Sequence, residues 1–409
     1  MESSCVSIKK VNIKTNTMNI IKSSLLLVPF ALFSCKSQTD TALILEKTEK
    51  QLTELRVLSM KEQKNPRSIH KDGSVRWVES PYDWTEGFFP GTCWMQYERT
   101  KDEKWKEAAI AIQDLYKQHK DLTNDHDLGF IFNNSFGKAY RITGEDQYKQ
   151  VLIDASRSLI TRFNKNVGCI QSWDVVGNWQ AERGWKFPVI IDNLMNLEML
   201  FEAAELTNDN TYKEIAIQHA NTTMKNHFRP DGSSYHVVDY DPQTGEIAHR
   251  VTAQGFADES AWARGQSWAL YGYTMCYRYT KDKKYLDFAE KIANFILNHP
   301  NYPKDGVPYW DFNAPKIPNE PRDASSAAIL ASALIELSDY TGGRYLQNAQ
   351  HILNSLATDN YTAKQGENGN FVLMHSVGSI PHGNEIDVPL NYADYYYIEA
   401  LTRLKEKKL

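Results

Sequence analysis

The chain is expected to be all-α, an (α/α)6 toroid of six inner helices ringed by six outer ones, and three observations carry that expectation. A polar turn recurs five times: Thr100-Lys-Asp-Glu-Lys-Trp105, Thr143-Gly-Glu-Asp-Gln-Tyr148, Thr207-Asn-Asp-Asn-Thr-Tyr212, Thr280-Lys-Asp-Lys-Lys-Tyr285 and Thr341-Gly-Gly-Arg-Tyr345. Each sets a capping residue before an aromatic that opens a new amphipathic run. The run before each turn is apolar and rich in small residues, as at 327–337, whereas the run after it has one charged face, as at 285–297. Each turn therefore joins an inner helix to an outer one. The turns are unevenly spaced, which excludes a strict solenoid repeat.

Taken in order, the first turn ends an inner helix near 86–99 and opens an outer one near 103–118. The second separates 128–142 from 146–162, the third 190–206 from 210–226, the fourth 264–279 from 283–298 and the fifth 324–339 from 344–357. That leaves 42–62 as the opening outer helix and 391–405 as the closing inner one. Long loops near 164–188, 228–262, 299–322 and 358–389 return from outer to inner helices and hold Trp173, Trp179, Trp185, Trp262, Trp310, His236, His249, His375 and His382. In a toroid the inner helices run the same way, so these loops and six helix amino termini share one mouth. Long decorated loops on a rigid scaffold carry sites, and free N–H groups there favour an anionic ligand.

Before the first helix, the apolar run 25–33 follows Lys9, Lys10, Lys14 and Lys22 and is too short to span a bilayer, but it suits a secretory signal. Leu32-Phe33-Ser34-Cys35 resembles a bacterial lipobox, with Cys35 as the lipidated residue; Met18 can serve as the start. The expected organisation is a signal peptide over 1–35 and a single catalytic domain over 36–409, lipid-anchored in the cell envelope, at the periplasm or the outer membrane. Losing 1–34 removes four Lys and one Glu, so the net charge of −5 becomes −8. Lys plus Arg at 46 against Asp plus Glu at 51 offers no basic excess for nucleic acid. Cys93, Cys169 and Cys276 lack metal spacing and are expected as buried hydrophobes, with a disulfide between two of them left open.

Aromatic residues make up 12% of the chain, so rings either fill the core or line a site. Trp94 and Trp105 belong to the core by their place on helices; Trp84, Trp173, Trp179, Trp185, Trp262 and Trp268 lie at helix starts or loops, where they can stack on a sugar. Carboxylates recur at the inner-helix starts. Asp323 and Asp394 are expected as caps, whereas Asp127 and Asp192 are flanked by apolar residues, unlike exposed caps. A general acid near neutral pH needs a raised pKa; burial among Trp84, Trp173, Trp185 and Trp268, or a second carboxylate, would raise it, while helix dipoles and Arg264 would lower it. No HxH or HExxH spacing appears, so no metal is expected.

The segments His126-Asp127-Leu128-Gly129-Phe130, Ile191-Asp192-Asn193-Leu194-Met195-Asn196, Ala253-Gln254-Gly255, Trp262-Ala263-Arg264-Gly265-Gln266-Ser267-Trp268 and Asn391-Tyr-Ala-Asp-Tyr-Tyr together resemble glycoside hydrolase family 88, the unsaturated glucuronyl hydrolases. The related family 105 unsaturated rhamnogalacturonyl hydrolases share the toroid; Gln266 and the paired acid motifs favour family 88. The resemblance implies removal of a terminal 4,5-unsaturated uronic acid left by an upstream polysaccharide lyase, without a cofactor. It implies Asp192 as general acid and base, Asp127 as its partner, Trp84, Trp173 and Trp268 as stacking residues, and His236, Gln254, Arg264 and His382 as polar contacts, with Arg264 nearest the sugar carboxylate. Glu86 stands where a small residue is expected, and the segment 249–254 is expected to read the next sugar and its sulfates. Glycosaminoglycan and ulvan fragments both fit; the Lys-, Asn- and Ile-rich composition leans towards ulvan. The competing classes are a toroid epimerase, which would use histidines as acid and base, and a non-catalytic glycan-binding lipoprotein, which would not need both acids.

Overall fold

Each hairpin turn is closed by its threonine. In the computed structural model, which describes residues 40–79 and 82–407, the hydroxyls of Thr100, Thr143, Thr207 and Thr280 donate to the carbonyl four residues back. The same oxygens accept the backbone N–H two residues on. Lys101, Gly144, Asn208 and Lys281 then take left-handed backbone, with φ between 56° and 71°, and Asp102, Asp209 and Asp282 cap the following helix through the N–H two residues ahead. The fifth turn reaches the same end with Gly342 and Gly343, both at positive φ.

In chain order the helices are α1 (Thr41–Glu62), α2 (Phe88–Thr100), α3 (Glu103–Gln113), α4 (Lys138–Thr143), α5 (Asp146–Ile160), α6 (Trp179–Glu182), α7 (Leu197–Thr207), α8 (Asn210–Asn226), α9 (Ala263–Thr280), α10 (Lys283–Asn298), α11 (Ala324–Tyr340), α12 (Leu346–Leu356) and α13 (Asn391–Glu406). A π-helical run, Gly129–Gly137, leads into α4, and a 3-10 turn, Ile191–Asn196, leads into α7. With those extensions α2, α4, α7, α9, α11 and α13 form the inner ring, and α1, α3, α5, α8, α10 and α12 the outer one; α6 lies within a loop. Burial separates the rings as the sequence pattern does: 15 of 17 residues of α11 are buried, but only five of 16 in α10. The expected outer helix over 103–118 breaks instead, α3 giving way to a 3-10 segment, Asp114–Asp121, kinked at the buried Tyr116.

The mouth loops pair into small antiparallel sheets that the sequence pattern did not foretell: β1 (Pro66–Ile69) with β2 (Val75–Trp77), β3 (Phe163–Asn164) with β4 (Cys169–Ile170), β5 (Pro188–Ile190) with β6 (Val237–Tyr240) and β7 (Ile247–Val251), and β8 (Ser376–Ser379) with β9 (Asn384–Val388). These strands are too short to declare a two-residue period and exist because the helices bring distant loops together.

Trp94, Trp105 and Trp268 are fully buried in a core that runs through both rings. Cys93, Cys169 and Cys276 are buried and unpaired. Asp323 does cap α11, through the Ser325 N–H, but Asp394 accepts the N–H groups of Val372 and Leu373, both at 2.8 Å, tying the last loop to α13 rather than capping it. Cys35 and the export segment lie outside the described residues, among which no helix is long and apolar enough to cross a membrane.

Near the carboxyl ends of the inner helices, Lys138, Arg141, Arg278 and Arg403 meet Glu198, Glu202, Glu336 and Glu399. Arg403 joins α13 to α11 through Glu336 at 3.0 Å and holds Glu399 at 3.6 Å. Replacing it by Met leaves two largely buried carboxylates short of a cation. Arg403→Met is expected to cost about 3 kcal/mol, read as a lowered urea midpoint.

Candidate active site

Four inner helices deliver their starts to one pocket. Trp84 precedes α2, Asp127 precedes and Phe130 begins the π run, Asp192 begins the 3-10 turn before α7, and Arg264 begins α9; all line a cavity of about 290 Å³. The loops supply Trp173, Trp179, Gln180, Ile190, Ala253, Gln254, Ser379, His382 and Asn384. Exposure grades along it. Asp127, Asp192, Phe130 and Arg264 are buried at the floor, Trp84, Trp173 and Gln254 are half-buried, and Trp179, His382 and Asn384 are exposed at the rim.

The acid-bearing starts are held together by Asn196. Its Oδ1 accepts the Phe130 N–H at 3.0 Å, and its Nδ2 lies 3.4 Å from Asp127 Oδ1 and from Asn193 Oδ1. The approach needs Gly129, since a Cβ there would stand 2.5 Å from Asn196 Cα. Asn196 sits four residues beyond Asp192, one helical turn on, and that spacing is the signal by which it could have been found.

Burial pushes the Asp192 carboxyl up to about 7, against Arg264, its own backbone N–H and the Trp268 indole N–H, which favour the ionised form. Asp127 is pushed well above the usual carboxylate range, by burial first and then by Asp125 and Asp192. Both acids thus keep protons far above the pH at which an exposed aspartate loses its own, and Asp192 Oδ2 has no hydrogen-bond partner among the described residues. Arg264 is largely committed already. Its Nη1 donates to Asp323 and to the Val377 carbonyl and its Nη2 to the Gly378 carbonyl at 2.7 Å, while Nε is unpartnered among the described residues.

Seven of the residues expected from sequence line this pocket: Asp127, Asp192, Trp84, Trp173, Gln254, Arg264 and His382. Two, Trp268 and His236, are not among the residues that line it. Trp268 is wholly buried, packed on Phe130 and Tyr396, because it lies one turn inside α9 on the face turned to the core. His236 is buried behind Asp192, with Nε2 at 3.6 Å from Oδ2. Its Nδ1 accepts the N–H groups of Ala253 and Gln254, at 3.0 and 3.1 Å, and burial lowers its pKa to about 3. The ring is therefore neutral, its proton sits on Nε2, and that N–H faces the Asp192 carboxylate.

Glu86 does not enter the pocket either; it accepts from the Asp83 N–H and pairs with His119 at 2.8 Å. Within 249–254 only Ala253 and Gln254 line the cavity: His249 is paired with Asp239, and Arg250 donates to the Asn226 carbonyl. Asp125, His126 and Asp127 bring ligand atoms within 4.8 Å of one another. Asp125 accepts the Asp127 N–H, and burial holds His126 neutral, with a pKa of about 3.

The family model described as Glycosyl Hydrolase Family 88 matches residues 58–408. The unsaturated glucuronyl hydrolase of Formosa agariphila is 48% identical over 340 residues, 83% of this chain and 84% of the relative. An unsaturated chondroitin disaccharide hydrolase of Streptococcus pneumoniae is 33% identical over 330 residues, 78% of this chain and 81% of the relative. Among solved structures, an unsaturated glucuronyl hydrolase specific for heparin matches with a TM-score of 0.85 at 48% identity, covering 90% of this chain and 97% of that one. A mutant of the Streptococcus agalactiae unsaturated glucuronyl hydrolase complexed with dGlcA-GalNAc6S matches at 0.76 and 29% identity, over 91% and 94% of the two chains.

The raised Asp192 pKa has a stability consequence. Below about pH 4 the carboxyl is protonated folded or unfolded and costs nothing; as the pH rises towards 7 the unfolded chain ionises while the folded one holds its proton, so stability falls by about 4 kcal/mol in all. Asp192→Asn removes this slope. Its unfolding free energy is expected to gain on the wild type by that amount between about pH 4 and pH 8, measured by urea denaturation at both pH values.

Proposed function

Because the chain belongs to glycoside hydrolase family 88 and is an unsaturated glucuronyl hydrolase, we propose that it removes the terminal 4,5-unsaturated uronic acid from lyase-made oligosaccharides with Asp192 as general acid and base. Protonated Asp192 delivers its proton to C4 of the double bond, and a water molecule adds at C5, returning a proton to the same carboxylate. C5 then carries both a hydroxyl and the ring oxygen. The ring opens to a C5 ketone, and the hemiacetal formed at C1 expels the neighbouring sugar as an alcohol and becomes an aldehyde. The glycosidic bond is never attacked directly, so the distance rule separating retaining from inverting glycosidases has no bearing.

Asp127, held by Asn196, binds ring hydroxyls, its own carboxyl pushed up by burial and in part by Asp125 and Asp192. Trp84 and Trp173 flank the sugar ring. The sugar carboxylate lies towards the Arg264 donors left unspent and the inner-helix amino termini. His236 stands behind Asp192 with its Nε2 3.6 Å from Oδ2, beyond hydrogen-bond length. The observation that carries this assignment is Asp192 itself, a buried carboxyl on the pocket wall with a pKa of about 7 and an unpaired oxygen.

The products of glycosaminoglycan lyases are the leading substrates, supported by the heparin and chondroitin specificities of the similar proteins; ulvan products are the second class. Loss of the ultraviolet absorbance of the conjugated double bond reads the reaction on both, with and without sulfate. Wild-type kcat/KM is expected to hold at low pH and fall tenfold per pH unit above about 7, as the acid form disappears. Asp192→Asn is expected to lose about a thousandfold or more. A wild type that leaves the chromophore intact on every uronyl product sinks the activity, and a variant with full rate sinks the role of Asp192.

The apolar run 25–33 and Cys35 support export and lipid anchoring in the cell envelope, beside the lyase that supplies the substrate. In a bacterial host fed radiolabelled palmitate, the full chain is expected to take up label and Cys35→Ser to take up none. Equal labelling of the two excludes Cys35 as the lipidated residue.

A further inference from the structure

We propose that Trp179, with His382, forms the subsite that reads the sugar attached to the terminal uronate, by stacking on the apolar face of that pyranose. The proposal rests on the placement of the unsaturated uronyl ring at the floor against Asp127 and Asp192. The pocket closes behind these acids, which are 9% and 8% exposed, and opens past Trp179 at 37%. A uronyl ring at the floor, linked through C1 to the rest of the molecule, directs its neighbour over this rim.

Trp179 is among the few large apolar side chains left in water among the described residues, and Val176, 84% exposed, is on the same loop. A scattered exposed apolar residue needs no explanation, but this one is built in. Its ring lies 5.5 Å from Trp173 and 5.3 Å from Trp185, which are themselves stacked at an interplanar angle of 11°. The Arg183 guanidinium covers Trp185 at 4.5 Å and donates to the Thr252 carbonyl at 2.8 Å. Asn178 caps α6 through the Ala181 N–H at 3.1 Å. The platform is therefore rigid before any sugar arrives, and little side-chain entropy remains to be lost on stacking.

The other half of the rim comes from the hairpin β8–β9. His382 meets Trp179 at 5.5 Å and is held by the Ser379 hydroxyl, 2.7 Å from its Nδ1. Buried Arg67, on β1, grips Glu385 of the same hairpin with a bidentate pair at 2.6 and 2.9 Å. Two loops far apart in sequence thus meet in one aromatic lip, with the half-buried Trp84 and Trp173 left for the ring inside. An indole offers a flat apolar face that suits the C–H face of a pyranose.

The test compares a lyase-generated unsaturated disaccharide with the methyl glycoside of the same unsaturated uronate, which fills the chamber but has no second ring. Trp179→Ala is expected to cost the disaccharide at least tenfold more in kcat/KM than the methyl glycoside, through a raised KM, with Trp179→Phe recovering most of it. His382→Ala is expected to move the two substrates in the same order by less. Equal losses on both substrates, or no loss on the disaccharide, overturn the proposal; methyl glycoside turnover by each variant certifies its fold. A wild type that turns over neither substrate overturns the uronyl hydrolase reading first and the subsite with it.

Discussion

Gly129 and Asn196 touch where two inner helices begin, and the placement of Asp127 beside Asp192 depends on that contact. With no side chain on Gly129, the backbone of the π run comes within reach of the Asn196 side chain, which takes the Phe130 N–H and turns its amide towards Asp127. Asp192 lies one turn back on the same segment. A bulkier residue at 129 would part the two acids without touching either. The π run fits the same demand, because a wider helical turn alters where the first residues of an inner helix point.

Two requirements oppose each other in this pocket. An anionic substrate asks for positive charge, whereas a general acid working near neutral pH asks for none close by. A free guanidinium at position 264 would drag Asp192 back towards the ordinary aspartate range. Instead Arg264 is spent on Asp323 and on the Val377 and Gly378 carbonyls, and burial prevails at Asp192. Positive potential then comes from the helix amino termini, where it is diffuse and carries no titrating group, and from the few Arg264 donors left over. His236 follows the same logic: it stands 3.6 Å behind Asp192 Oδ2 without adding a cation, because two backbone N–H groups and burial keep the ring neutral.

The helices were legible because a helix boundary is a local event. The Thr hydroxyl, the left-handed residue and the capping Asp all lie within a few positions, so their pattern in the chain is their geometry in space. Asp127 and Asp192 were legible for a related reason: an acid at a helix start among apolar neighbours has few structural excuses. His236 and Trp268 lie deeper than their place in the sequence suggests, because depth is not local. His236 owes its burial and its tautomer to backbone 17 and 18 residues away, and Trp268 owes its place to rings on the π run and on α13. Asn196, Gln180, Ser379 and Asn384 were missed because an amide or hydroxyl gains meaning only when the loops are assembled, as were the short strands that assemble them.

This division of labour separates chemistry from specificity. The two acids proposed to act on the uronyl ring come from helix starts, fixed by a ring of hairpins whose far end is locked by an ion-pair network. The rim comes from loops held by their own small sheets and by Arg67 against Glu385. A change at Trp179 therefore alters what lies beside the uronate while Asp192 keeps its burial, whereas β8 also holds Arg264 through the Val377 and Gly378 carbonyls and so belongs to the balance at Asp192. Chain segments remote from the acids can then diverge to suit a new polysaccharide without reopening the balance that keeps Asp192 protonated.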